Sequence, residues 1–408
     1  MSSSDEPFEL LSLLGAGGFA RAHKARVLDP DLVEKYGTDT VALKIPHDRK
    51  TARALQDEVE QLIIVQRRLA PDETRNMVRY HGFEVYRGSL VMVMEYLPHG
   101  SLRDRIGRLG AQRPLPAPQV IALLSGVLSG LSVIHREHVI HRDIKPENIL
   151  LRDDTPKIAD FGISRILESN EFAATVVGTL FYIAPELLLK GRADFRADFW
   201  SLGVMAYELL TGRLPFGDRF TPMAGLVRLI GSGDLTPIRE FVPDVPEPLA
   251  AVVARALSRD PDQRFACAQE MIQALARAAE TATRTRIDAL AADIRRALSE
   301  DGDFAKAERL LTELTRTFPD DPGAYQHLGE LMSQAQRYKD AVETFRRGLA
   351  CKADDAQLHW GLAIACQHLA RTQEARESLE RALALGLPPE REPHARRLLH
   401  ALRSREQH

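Results

Sequence analysis

The sequence predicts an α+β fold in which a small β-rich lobe and a larger helical lobe precede an all-α repeat region. Three observations carry this expectation. Up to about residue 110 short apolar runs alternate with glycine turns, and from Gln119 long helical patterns replace them. Beyond residue 287 an Ala-, Leu-, Arg- and Glu-rich tail without strand signals repeats itself at an interval of 34 residues. A chain of 408 residues also exceeds one core, because cores stop growing near roughly 250–300 residues.

Bulk properties exclude several classes. The formal net charge is −3, from 54 Lys and Arg against 57 Asp and Glu. These charges are mixed along the chain, so no nucleic-acid partner is expected. Cys267, Cys351 and Cys366 are widely spaced and odd in number, which fits a reducing compartment and buried small hydrophobes better than a disulfide framework. "MSSSDEPFEL" at the N-terminus has neither the basic region nor the apolar core of a signal peptide. The most apolar stretch, "VIALLSGVLSGLSVI" from Val120, is broken by Ser and Gly and falls short of the ~20 residues of a membrane span. The expectation is a soluble, cytoplasmic protein without a membrane partner.

Along the first lobe, strands are expected at Phe8–Leu14, Arg21–Val27, Thr40–Ile45, Val78–Glu84 and Leu90–Tyr96. One helix interrupts them: Leu55, Val59, Leu62 and Leu69 recur at helical spacing over Thr51–Leu69, with Thr51 as the N-cap. The first two strands enclose "LLGAGGFARAHKARV", residues 13–27. That glycine-rich run either cradles a phosphate or makes a tight surface turn, since glycine serves both. The following segment, "LDPDLVEKYGTDT", reads as an extended hairpin turn at the edge of the lobe. In the second lobe the helical pattern is punctuated by Gly and Pro from Arg213 to Pro248 and ends near Ala278. The organisation is therefore a first domain over 1–278, a polar linker over 279–287 containing "ETATRTR", and a helical region over 288–408.

"HVIHRDIKPENILLRDDTPKIADFG" is the most informative stretch. Ile149–Leu151 and Lys157–Ala159 flank the turn signal "RDDTP", which predicts an antiparallel hairpin. Asn148 and Asp160 lie symmetrically about Asp154, so folding back brings an amide oxygen and a carboxylate together. Hard oxygen ligands of this kind suit Mg²⁺, which takes one or two carboxylates together with substrate phosphates. Asp143, just before the hairpin, is then placed to act on the group that receives the phosphate. The bland alternative is a polar hairpin tip with capping Asp and Asn.

With these motifs in order, residues 8–278 resemble the protein kinase family, most closely the eukaryotic-type bacterial Ser/Thr kinases. The resemblance implies a bilobal kinase fold, ATP and Mg²⁺ as cofactors, and protein substrates bearing Ser or Thr. It implies that Lys44 of "VALK" contacts the α and β phosphates. Asp143 of "HRDIKPEN" becomes the catalytic base, Asn148 and Asp160 the metal ligands, and Lys145 a second catalytic cation. Thr179 in "GTLFYIAPE" resembles the threonine that positions the substrate loop, and with Lys145 it favours Ser/Thr over Tyr. Gly15, Ala16, Gly17, Gly18 and Phe19 would form the lid over the phosphates, with Ala22 and Ala42 lining the nucleotide site. In "VMVMEYLPHGSL", Met94 would guard the back of the pocket, and the main chain from Glu95 to Leu97 would bind adenine. Asp198 in "DFWSLG" and the pair Glu186 and Arg264 resemble structural anchors of the family.

The lysine needs a partner carboxylate, and the first-lobe helix offers Glu58 and Glu60. Glu58 lies four residues before Leu62 on the apolar side, and "EVEQL" from Glu58 fits the family pattern; Glu60 sits beside Gln56 and Arg67. Glu58 is the expected partner. Arg142 resembles the docking charge for an activation-loop phosphate. Of the loop hydroxyls Ser164, Ser169, Thr175 and Thr179, Thr175 is the expected autophosphorylation site, with Ser169 second. Two departures matter: Ala20 and Ala22 stand where the family loop ends in Gly and Val. Ala20 keeps the small size, whereas Ala22 gives up roughly 1 kcal/mol of burial over the adenine.

In the tail, Leu328, Gly329, Ala341 and Phe345 recur 34 residues on as Leu362, Ala363, Ala375 and Leu379. This resembles the tetratricopeptide repeat, a helix pair of about 34 residues whose stacks bind peptide or protein partners. A weaker first copy runs through Ala307, Leu311 and Pro319, and the alternative is an irregular helical bundle. Two functional readings remain. One is an active Ser/Thr kinase targeted by its repeats; the other is a pseudokinase scaffold acting through them, against which Lys44, Asp143, Asn148 and Asp160 argue. A dinucleotide-dependent oxidoreductase fits poorly, because the glycine loop lies between two strands and not before a helix.

Overall fold

The computed structural model describes residues 6–17, 20–109, 113–160, 179–190, 194–218, 220–299 and 303–405. They fall into two units, Met1–Ala282 and Thr283–His408. The first begins with β1 (Phe8–Ala16), β2 (Ala20–Val27), β3 (Thr40–Pro46), β4 (Tyr80–Tyr86) and β5 (Ser89–Glu95), an antiparallel sheet ordered β1-β2-β3-β5-β4. Strand alternation divides β3 between two cores. Val41 and Leu43 join Phe8, Val27, Tyr86, Val91 and Val93 on one face. Ala42, with Met92 and Met94, joins the other, where Val59, Leu62 and Ile63 of α2 (Arg49–Arg68) pack.

The first of these faces explains the segment after β2. It is not an extended hairpin turn but a short helix, α1 (Pro30–Tyr36), whose Leu32, Val33 and Tyr36 cover that face. Asp29 caps it by accepting from the Asp31 and Leu32 amides, Pro30 opens it, and Gly37 closes it at φ 68°. Tyr36 donates its hydroxyl to Glu84 at 2.9 Å. The cap of α2 also differs from the expectation. Asp48 is the N-cap, and its carboxylate accepts from the Thr51 amide at 2.7 Å, so Thr51 lies inside the helix.

The rest of this unit is helical apart from one hairpin. In chain order it holds α3 (Leu102–Leu109), α4 (Ala117–Arg136), β6 (Ile149–Arg152), β7 (Thr155–Ile158), α5 (Pro185–Lys190) and α6 (Arg196–Thr211). There follow α7 (Met223–Ser232), α8 (Ile238–Phe241), α9 (Glu247–Ala256) and α10 (Ala268–Ser299). Helix α4 is long and apolar enough to cross a bilayer, but Val120, Leu124, Val127, Leu128, Leu131 and Ile134 are fully buried in the protein core. A Cβ at Gly130 would come within 2.7 Å of the Asn76 carbonyl oxygen and 2.9 Å of Ile158 Cδ1, so α4 lies against the hairpin at backbone distance. Helix α6 is buried on nearly every side, including the carboxylate of Asp198. The polar stretch 279–287 is not a break in structure: it lies inside α10.

The second unit continues through α11 (Phe304–Thr317), α12 (Pro322–Gln334), α13 (Tyr338–Cys351), α14 (Ala356–His368), α15 (Thr372–Leu385) and α16 (Glu392–Arg405). The pairs α12–α13 and α14–α15 start 34 residues apart. Their core is organised around Phe345, fully buried, whose ring would lie within 2.7 Å of a Cβ on either Gly329 or Gly361. Small residues at these two positions let three helices close on one aromatic ring.

Overpacking gives a direct test of the α4 contact. Gly130→Val should lower the stability of the first unit by about 2 kcal/mol or more in denaturant titration. Gly231→Ala on α7, where a Cβ meets nothing within 4 Å, should be neutral or slightly stabilising.

Candidate active site

Lys44 is placed by register. On β3 it pairs with Ala22 of β2 on one side and Met92 of β5 on the other, so its side chain leaves the sheet on the face shared with α2 and the large lobe. Its Nζ meets Asp160 Oδ1 at 2.5 Å, and the lysine is only 8% exposed. Burial pushes the Asp160 carboxyl up, but Lys44, with Lys145 behind it, outweighs burial and holds it below the usual carboxylate range. Asp160 is therefore ionised at neutral pH. Its φ of 57° lies in the left-handed region, a conformation that costs a non-glycine residue and that the surrounding bonds must hold. One of these runs from its own amide to the Tyr80 hydroxyl, 3.1 Å.

Asp143 sits in the loop before the hairpin, 8% exposed. Its Oδ2 accepts from Lys145 Nζ and from Asn148 Nδ2, each at 2.8 Å. Its Oδ1 is buried and meets no donor among the described residues. Asn148 Nδ2 also donates to the Asp143 carbonyl at 2.8 Å, which commits both amide protons and leaves Asn148 Oδ1 as a pure acceptor. The hairpin register pairs Ile149 with Ile158, and the Ala159 amide donates to the Asn148 carbonyl. Asn148 therefore faces Ala159, and Asp160 lies one residue beyond the symmetric position expected from Asp154. The turn is centred between Asp153, at φ 54°, and Asp154.

The loop itself is held from below. Asp198 accepts from the amides of His141 (2.9 Å) and Arg142 (2.7 Å) and from His135 Nε2 (2.8 Å). Arg142 has φ 63°, so the carboxylate grips the loop where its backbone is strained. His141 Nε2 lies 2.9 Å from the Ala159 carbonyl, and its Nδ1 accepts from the Asp143 amide at 3.2 Å. Those partners require the neutral ring with its proton on Nε2, and burial favours the same form by lowering the imidazole pKa. Farther out, Arg264 donates to both oxygens of Glu186, at 2.7 and 2.8 Å.

The remaining expected residues are distributed as follows. Gly15 and Ala16 end β1 opposite Ala22 and Arg21, and the Gly17 amide donates to the Ala20 carbonyl at 2.9 Å. Gly18 and Phe19 lie outside the described residues. So do Ser164, Ser169, Thr175 and the side chains of Glu58 and Thr179. Glu60 is exposed and bonded to Gln56, and among the described residues the carboxylate on Lys44 is Asp160. Ala42 and Met94 pair across β3 and β5, both buried, and Leu97 is buried at the start of the hinge.

Glu95 has a side-chain role that sequence reading missed. Its carboxylate accepts from the Arg79 amide, Lys157 Nζ and Arg152 Nη2, at 2.8, 2.8 and 2.7 Å. The hinge is thereby clamped to the hairpin that carries Asn148. Arg103 was also missed. Its guanidinium binds Glu147 at 2.8 Å, Glu208 at 2.7 Å and the Tyr182 hydroxyl at 2.7 Å. Nothing in the local sequence around Glu95 or Arg103 signals these partners.

Comparison with known proteins gives the family. Residues 8–275 match the model of the protein kinase domain, and residues 298–363 match a tetratricopeptide repeat model. The chain belongs to the protein kinase domain family. It is similar to the serine/threonine-protein kinase PknL of Mycobacterium tuberculosis, 40% identical over 184 residues that make up 44% of this chain and 45% of the relative. It is also similar to the serine/threonine-protein kinase cst-1 of Caenorhabditis elegans, 33% identical over 216 residues covering 52% of this chain and 40% of that protein. The matched region thus spans less than half the length of these curated relatives. Among solved structures it is similar to the kinase domain of Mycobacterium tuberculosis PknI, at 23% identity and a TM-score of 0.49, covering 68% of this chain and all of that one.

The Asp198 anchor is testable. Asp198→Asn replaces an acceptor-only group by one that points protons at the loop amides, and should cost about 3–5 kcal/mol as read by thermal or denaturant unfolding.

Proposed function

We propose that this chain transfers the γ-phosphoryl group of ATP to Ser or Thr hydroxyls of protein substrates. The observation that carries the reading is the division between the two oxygens of Asp143: Oδ2 is fixed by Lys145 and Asn148, while Oδ1 is buried without a donor. A carboxylate held rigid on one side and bare on the other is placed to accept a proton.

The donor set also fits Mg²⁺. An ionised Asp160 and the acceptor oxygen of Asn148 are the one-carboxylate, oxygen-only ligation that this ion accepts when phosphates complete its shell. When bound, the ion would neutralise and align the phosphates. Lys44 brings positive charge to the α and β phosphates, and Lys145 brings it beside the base. As the substrate oxygen bonds to phosphorus, Asp143 Oδ1 takes its proton, and the bond to the ADP oxygen breaks with its electron pair on ADP. Because the transition state is loose, the protein contributes mainly position and charge. The Glu95 amide is already bonded to the Arg79 carbonyl at 2.9 Å, so adenine recognition falls to the Glu95 carbonyl and the Leu97 amide.

Phosphorylation of Thr175, with Ser169 second, and docking of the phosphate on Arg142 belong to this reading. So do recruitment of a substrate or regulator by the C-terminal repeats and a reducing, cytoplasmic setting, the latter supported by three free cysteines, of which Cys366 is buried as expected while Cys267 and Cys351 are exposed. Mass spectrometry of active protein should find Thr175 or Ser169 modified; an unmodified loop in fully active protein would remove autophosphorylation from the reading.

Two substitutions test the chemistry. With Mg²⁺ and labelled ATP, wild-type protein should incorporate label, and Asp143→Asn should reduce the rate by about 10²–10⁴-fold without lowering the melting temperature. No incorporation in wild type under any loop phosphorylation state would favour the scaffold reading. Ala22→Val should restore apolar cover on the nucleotide and lower the KM for ATP by about fivefold, the equivalent of roughly 1 kcal/mol, with kcat unchanged.

A further inference from the structure

A cavity of about 1150 Å³ lies between α3, the end of α6 and the segment that follows it. Its rim begins at Arg103, whose guanidinium is bonded to Glu147, four residues along the catalytic loop from Asp143. The cavity rim is therefore joined to the catalytic loop through one ion pair.

Its charges are unevenly satisfied. The lining carboxylates are all engaged: Glu208 by Arg103 and the Tyr182 hydroxyl, Asp104 by the amide and hydroxyl of Ser101, and Asp218 by the Phe220 amide and the Thr221 hydroxyl. Arg108, Arg113 and Arg213 are exposed lining residues, and among the described residues none of them reaches a carboxylate. Arg108 donates only to the His99 carbonyl, at 3.3 Å, and the Arg213 guanidinium lies over the Phe241 ring at 4.9 Å. Phe220, 92% exposed, adds an apolar edge. A concave surface lined by four arginines against three carboxylates, with three guanidinium forks that meet no acid among the described residues and with aromatic walls, complements carboxylates.

We infer that this cavity binds an acidic segment of the protein substrate, flanking the acceptor residue, and so sets a preference for Glu and Asp near the phosphorylated Ser or Thr. The inference rests on the kinase reading above and names its substrate class. Arg103 is excluded from the recognition set because Glu147 and Glu208 already hold it. Recognition falls to Arg108, Arg113 and Arg213, which lie outside the catalytic machinery.

The test uses the full chain and two fluorescein-labelled 13-residue peptides with one central Ser, identical except for Glu or Ala at the flanking positions. At low salt the Glu peptide should bind roughly tenfold more tightly by fluorescence anisotropy, with the advantage shrinking as salt screens it. Its KM for phosphorylation should fall by a similar factor. The combined variant Arg108→Gln, Arg113→Gln, Arg213→Gln should lose this preference while keeping the kcat for the Ala peptide and the wild-type melting curve. Arg213→Gln alone, as the milder change, should lose part of it. Equal binding of the two peptides, or an undiminished preference in the combined variant, overturns the inference. Failure of the kinase reading is separate: absence of label transfer to either peptide counts against that reading, while the anisotropy arm still decides what the cavity binds.

Discussion

Asp198 is the group on which the rest of the catalytic unit depends. It is a fully buried carboxylate in the first turn of a helix that is itself buried, and a charge in that position is tolerated only if its lone pairs are satisfied. The amides of His141 and Arg142, with His135, satisfy them. The same bonds hold Arg142 in a left-handed conformation, and the turn so formed presents Asp143 and Lys145 beyond it. His141 then ties the loop to the Ala159 carbonyl, immediately before Asp160. One buried charge thus fixes Asp143, and through His141 it fixes Asp160.

A second linkage joins the sheet to this loop system. Lys44 reaches Asp160, and Glu95 reaches Lys157 and Arg152 on the hairpin. Lys157 is itself buried and also donates to the Met77 carbonyl. With its acceptors in place the buried ammonium is stable; without them it would carry the full desolvation cost. The hinge carboxylate therefore acts on the hairpin. The short helix after β2 serves the same sheet from the far side, covering the face that Val41 and Leu43 present, so that the Ala42 and Lys44 face is left for function.

The charge arrangement around α3 extends this logic outward. Arg103 binds an acid from the catalytic loop, an acid from α6 and a tyrosine from the segment between them. Burial, together with the neighbouring Glu208 charge, keeps that tyrosine hydroxyl protonated, so it donates to Glu208 at 2.5 Å. The cluster commits Arg103 to two acids, which leaves Arg108, Arg113 and Arg213 as the guanidinium groups at the cavity that meet no carboxylate among the described residues.

What the sequence determined by itself was local. Alternation in "TVALKIP" placed Lys44 and Ala42 on one face, the turn in "RDDTP" placed Asn148 near Asp160, and the 34-residue interval marked the helix pairs, because period and spacing are properties of the chain alone. The helix after β2 was also legible, through the Asp-Pro opening and the closing glycine, although the segment reads at first as a turn. The tertiary structure decided the rest. Lys44 meets Asp160 across 116 residues and Glu95 meets Lys157 across 62; the motifs bring the first pair to one site without giving their direct bond, and nothing in the sequence signals the second. The exact register of the hairpin, one residue off the symmetric count, and the choice of which arginines are neutralised likewise depend on groups brought together only by folding. Long-range electrostatic partners are selected by geometry, whereas the strand, turn and helix that carry them are selected by neighbours in sequence.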